Sequence, residues 1–161
     1  MTITTNVFAP SEQKGDVKNK TKGFRIDGFI ASTESGTMVP GTAVKLAHTA
    51  NAQLDFLVAA TGDEIFGIVE YEATKTNSYA YVAGGTNTLT VASLGSIIVL
   101  EASAAIVKGA YVAYVATGAK VRTATTGDKI IGISLGKATA DGNLIRVLLT
   151  CPNSQAVIAG S

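Results

Sequence analysis

The chain has 161 residues, 47% hydrophobic and 16% charged, with a net charge of +1 and one cysteine, Cys151. That length builds a single domain with a core of its own, without metal or disulfide support, and one cysteine excludes an internal disulfide framework. A balance near neutrality excludes an overall basic footprint for nucleic acid, and no run approaches the roughly 18 apolar residues of a membrane-spanning helix.

Charged residues fall well below the roughly 25% of a typical soluble domain, so much of the surface is Thr, Ser, Asn, Gly and Ala or is covered by other chains. The opening MTITTNVFAPSEQK lacks the basic start and apolar run of a signal peptide, which predicts a protein made and kept inside the cell. Residues 1–25 carry a balance of +3 and the remainder −2, a basic segment ahead of a mildly acidic body.

In chain order, residues 1–22 are polar, with Phe8 their only aromatic and Pro10 breaking any helix, and they read as an extended arm. A terminus without a role gives the same composition. From Gly23 onward short apolar runs are split by Gly, Asn, Asp and Ser, the punctuation of an all-β domain spanning 23–161. Strands are predicted at Phe24 to Ile30, Ala43 to Leu46, Gln53 to Val58, Ile65 to Tyr71, Ser78 to Val82 and Thr88 to Ala92. Further strands follow at Ser96 to Leu100, Ala110 to Val115, Lys120 to Arg122, Ile130 to Leu135 and Leu144 to Leu149. Alanine makes Glu101 to Lys108 the most helix-like piece, too short to change the class.

The chain is organised around ATTGDKIIGI, Ala124 to Ile133, whose pattern occurs 65 residues upstream as AATGDEIFGI, Ala59 to Ile68. In each, Gly62-Asp63 or Gly127-Asp128 sets a tight turn before a β-branched run. Upstream, Val39, Gly41 and Val44 correspond to Val107, Gly109 and Val112 at an offset of 68, so a gap of three residues separates the copies. Two such units predict a single β-barrel or β-sandwich with pseudo-repeated halves, although convergent turn chemistry also produces the match.

Chemistry is sparse. His48 is the only histidine, so a nucleophilic dyad would have to pair it with Cys151, one in a polar loop and the other in a terminal segment, and no zinc site of the usual ligands fits within one chain. Asp63 and Asp128 occupy equivalent turn positions, which favours a structural role over acid–base or metal duty. Gly84-Gly85 lacks the spacing of a phosphate-binding loop. Tyr79 and Tyr81 alternate along a strand and share a face, either a packing or contact face or a stacking platform without basic neighbours. No cofactor is expected.

The segment KGAYVAYVATGAKVRTATTGDKIIGISLGKATADGNLIRVLLT, Lys108 to Thr150, with a weaker echo from Val39 to Ala73, resembles the phage head decoration, or capsid cement, proteins. The resemblance lies in a Gly turn, a strand, a variable loop, the Ala-Thr-x-Gly-Asp-x-Ile-x-Gly-Ile run, a Gly-rich turn and an apolar strand. It implies a non-enzymatic virion protein, made in the host cytoplasm, that binds the outside of an assembled shell as a homotrimer. Its implied partners are the major capsid protein and itself, with neither nucleic acid nor membrane. The arm supplies candidate contacts in Phe8, Pro10, Lys14, Lys18, Lys20 and Lys22. The rival is a carbohydrate- or ligand-binding β module of a head fibre or fibre base, using Tyr71, Tyr79 and Tyr81. The long arm and the middle segment Thr74 to Leu94 depart from the family pattern.

Overall fold

The computed structural model describes residues 13–18, 23–48, 53–72 and 77–150, and among these there is no helix. Ten strands follow one another: β1 (Arg25–Ile30), β2 (Ala43–Leu46), β3 (Asp55–Val58), β4 (Gly67–Val69), β5 (Thr88–Ala92), β6 (Ile97–Ala102), β7 (Tyr111–Val115), β8 (Lys120–Thr123), β9 (Ile130–Ser134) and β10 (Leu144–Leu149). The all-β class is that expected, but the strands close into two five-stranded barrels, one in each half, where a single barrel or sandwich had been the expectation. Closure is local to each half because β5 returns antiparallel to β1, and β10 to β6, leaving neither sheet with an open edge.

The barrels share one strand order. β1-β3-β2-β4-β5 in the first becomes β6-β8-β7-β9-β10 in the second, and in each the one parallel pair joins the first strand to the third. Val44 faces Gly67 across one ladder and Val112 faces Gly132 across the other. Val44 pairs with Val58 and Val112 with Thr123, so the offset of three residues between the halves falls in the connection between β2 and β3. Outside the strands, Met38 bridges Tyr79 as Ile106 bridges Ala138.

Alternation along the strands fills the interiors. In β10, Ile145, Val147 and Leu149 are buried while Leu144 and Arg146 face outward. The first barrel encloses Ile30, Val44, Phe56, Val69, Leu89 and Val91, with Phe56 stacked obliquely on Phe66 at 5.4 Å between ring centroids. The second encloses Ile98, Leu100, Val112, Val121, Ile145 and Val147. Each such buried aliphatic side chain contributes about 1.5–3 kcal/mol.

Two local expectations change. Ser78 to Val82 forms no strand beyond the Tyr79 bridge: the Asn87 side chain bonds both the N–H and the carbonyl of Val82, and Asn77 and Gly84 at φ 54° and 73° break the pleat on either side. The alanine-rich stretch begins as the end of β6 and continues into the Ile106 bridge, so it forms no helix. Part of the expected arm, residues 13–18, lies along β6. Gly15 and Lys18 donate to the carbonyls of Val99 and Ile97, both at 2.7 Å, and Val17 is buried. The carbonyl of Gly15 also accepts from Tyr71 N–H at 2.9 Å, which ties this segment to the first half of the chain.

Candidate assembly surfaces

The two Gly-Asp turns have the same internal bonding. Asp63 Oδ2 accepts from the backbone N–H of Ala60 at 2.9 Å, and Asp128 Oδ2 from that of Thr125 at 2.7 Å. Each aspartate N–H returns a bond to the carbonyl of the same partner. Gly62 and Gly127 sit at φ 88° and 89°, a left-handed conformation that glycine adopts at little cost. Cations complete the turns: Lys45 Nζ lies 2.7 Å from Asp63, and the Arg122 guanidinium 2.7 Å from Asp128.

These bonds shift the carboxyls. Hydrogen bonding from Lys45, then from Ala60 N–H, holds Asp63 below the ordinary carboxylate range. At Asp128 burial opposes ionisation, but the bonds from Thr125 and the Arg122 charge together outweigh it and lower this carboxyl as well. Their oxygens are turned to the turns themselves.

The turns meet where the barrels join. Thr61, Gly62 and Asp63 line a gap of about 40 Å³ opposite Tyr114, Gly127 and Asp128. Thr61 Oγ1 accepts from Ala116 N–H at 3.0 Å, and Lys129 Nζ lies 3.7 Å from Glu64. The Ala43 backbone hydrogen-bonds the Tyr114 hydroxyl, whose pKa burial raises. Ala43, Ala59, Ile65, Ile68 and Ala92 are buried in one cluster with Tyr114, Ile131 and Leu149. This patch of the first barrel is therefore an interior surface of the molecule.

Of the residues expected to reach a partner, Phe8, Pro10, Lys20 and Lys22 lie outside the described residues, as does Cys151. Lys14 is turned inward: its Nζ donates to the Gly118 carbonyl and lies 3.6 Å from Glu101, and burial lowers its pKa. Glu101 also accepts from Lys120 at 2.8 Å, and Lys120 reaches Asp141 at 2.7 Å, forming an ionic cluster beside β6 and β8. Lys18 pairs with Asp16 at 2.6 Å. Tyr79 is buried in the first core, Tyr81 packs against that core and Tyr71 is half-buried, so the three tyrosines form no open aromatic face. His48 stands exposed, and among the described residues no cluster of three metal-binding side chains occurs.

Two surfaces escaped the sequence reading. One is an apolar row across four strands of the second barrel, in which Tyr111 pairs with Ile133, Ile133 with Leu148 and Leu148 with Ile97. Tyr111 is 51% exposed and the other three are half-buried. The other is a groove of about 480 Å³ on the first barrel, lined by Leu46, His48, Leu57, Glu64 and Phe66 among others. Neither surface is visible in sequence, because the row draws on four strands and the groove on three separate segments.

A family model described as "Structural cement protein (E217 gp24/Pam3 gp6)" matches residues 2–150. No curated protein matches the chain in sequence. Among solved structures, the chain is similar to the head fiber gp8.5 N base in bacteriophage phi29, with a TM-score of 0.52 and 11% identity over 79% of this chain and 95% of that one. At that identity the likeness is one of fold.

Proposed function

The chain belongs to the phage structural cement protein family, whose model spans both barrels, and from that membership we propose that it coats the outer surface of an assembled capsid and bridges major capsid protein subunits. It is a capsid-stabilising structural protein of the phage head. The observation that carries the reading is the family match over residues 2–150.

The stabilising mechanism is linkage. A protein that binds the assembled shell, and not its free subunits, shifts the equilibrium toward the shell by mass action. Contact with several subunits at once raises the effective concentration of every contact after the first. In this reading the protein is made in the host cytoplasm, associates with itself as a homotrimer and uses neither nucleic acid, membrane, cofactor nor catalysis. The arm reaches the shell through Phe8, Pro10, Lys20 and Lys22, with Lys18 at its base. Lys14 contributes less, because its ammonium already bonds Gly118 and neighbours Glu101.

The rival reading, a ligand-binding module of a head fibre base, has the fold likeness to the phi29 protein behind it. The packing of Tyr79 and Tyr81 against the first core weighs against it. Co-sedimentation separates the two. Purified protein mixed with undecorated phage shells is expected to pellet with them and to raise their melting temperature; protein left in the supernatant at saturating concentration refutes the cement role.

A further inference from the structure

Beside the meeting Gly-Asp turns, the apolar part of the junction between the barrels joins unlike patches, so it leaves one unmatched surface on each barrel. On the first barrel the row Ala43, Ile68 and Ala92, each paired across neighbouring strands, is wholly buried against the second barrel. The same ladder positions on the second barrel are Tyr111, Ile133 and Leu148, which form the open apolar row. Conversely, the second barrel receives the first with Tyr114 and Ile131. Counting along the ladders from Val112 and Gly132, and from Val44 and Gly67, the matching positions on the first barrel are Leu46 and Phe66, two walls of the open groove.

We infer that two copies of this chain join by repeating the internal junction, with the Tyr111 row of one copy seated in the Leu46–Phe66 groove of the next. The inference rests on the self-association reading above and names its surface. Two observations select a second copy as the occupant. The internal junction shows what covers this row: a barrel of the same topology, fitted so closely that the space left beside Ile65, Ile68, Ile131 and Leu149 is about 10 Å³. The sizes are reciprocal, since small Ala43 meets large Tyr114 inside the chain, whereas between chains large Tyr111 meets smaller Leu46 and a groove of about 480 Å³. A junction of this kind uses different patches on its two sides, so it closes into a ring when its rotation permits and otherwise continues as a filament.

The test uses Tyr111→Glu and Leu46→Lys, both at exposed positions, with thermal melting to verify folding. Sedimentation velocity is expected to show each single variant dissociating, with about a tenfold or greater rise in the association Kd, and the double variant Y111E/L46K recovering assembly. In a Cys151→Ser background, Tyr111→Cys and Leu46→Cys chains are expected to form a mixed disulfide only when combined. Oligomers that persist in both single variants, without that cross-link, overturn this surface and leave self-association intact. A wild-type chain that sediments as a monomer at every concentration overturns both.

Discussion

A Cβ placed on Gly132 would lie 2.3 Å from the carbonyl oxygen of Leu148 on the adjacent strand. Gly67 stands in the same relation to Ala92, whose carbonyl oxygen would be 2.5 Å away. The Gly of the repeated Ile-x-Gly-Ile run is there because two backbones approach too closely for any side chain. Gly62 and Gly127 differ, since nothing lies within 4 Å of a Cβ at either and only their positive φ resists substitution. Alanine at position 67 or 132 is therefore expected to cost about 2–4 kcal/mol, and at 62 or 127 about 1–2 kcal/mol. Urea denaturation of the four variants checks the order, and equal losses would remove the close-approach explanation.

Glu70, directly after β4, is buried, and its carboxylate meets the guanidinium of Arg25 on β1 in two hydrogen bonds, the second at 2.7 Å. Its side chain is fully buried, whereas that of Arg25 is one-third exposed, so the pair is asymmetric. Arg25→Met removes both of these bonds from a buried carboxylate and is expected to cost about 3 kcal/mol, while replacing both residues with apolar ones restores most of the loss. Lys120→Met, which removes two ion pairs at the surface, is expected to cost far less than Arg25→Met, because exposed pairs are screened by solvent. Chemical denaturation of the single and double variants measures the coupling; additive losses at Arg25 and Glu70 would show that their pairing contributes nothing.

The two turn aspartates make acid sensitivity predictable in sign. Hydrogen bonds and cations hold both carboxyls below their ordinary range in the folded chain, so the unfolded chain takes up protons first as pH falls. Their contribution to stability is complete above the unfolded value of about 3.9 and is lost as pH drops through the folded values. Asn at both positions keeps an oxygen for Ala60 and Thr125 N–H but removes the charge. The D63N/D128N variant is expected to melt earlier than wild type at pH 7 and to converge on it as pH falls through the lowered folded values. Parallel melting curves across that range would mean that the turns do not titrate with folding.

What the sequence made legible was local. Alternation placed β5, β7 and β10, and the duplicated Gly-Asp run located the turns at Asp63 and Asp128, because both signals lie within a few residues. Barrel closure depends on β1 meeting β5 and β6 meeting β10 over long separations, and nothing in either strand names its partner. The apolar row is hidden for the same reason: Tyr111, Ile133, Leu148 and Ile97 belong to four strands and become neighbours only through register. The segment 78–82 misled because its alternation is that of a strand, while Asn87, some residues further on, takes the backbone groups a strand would use.

The N-terminal segment divides into two parts that truncation separates. Residues 13–18 belong to the body: Val17 joins the main core, Asp16 and Gly15 bond Val99 of β6, and Lys14 reaches the Gly118 carbonyl. Removing residues 1–22 strips this cover from β6 and is expected to cost about 2–4 kcal/mol, from the loss of one buried side chain and several backbone bonds. Removing residues 1–12 leaves those contacts in place, so it is expected to lower the thermal midpoint less than the longer deletion while its binding to phage shells weakens through loss of Phe8 and Pro10. Equal shell affinity in the shorter deletion would remove those two residues from the mechanism. An unchanged melting temperature in the longer one would show that the segment over β6 adds nothing to the fold.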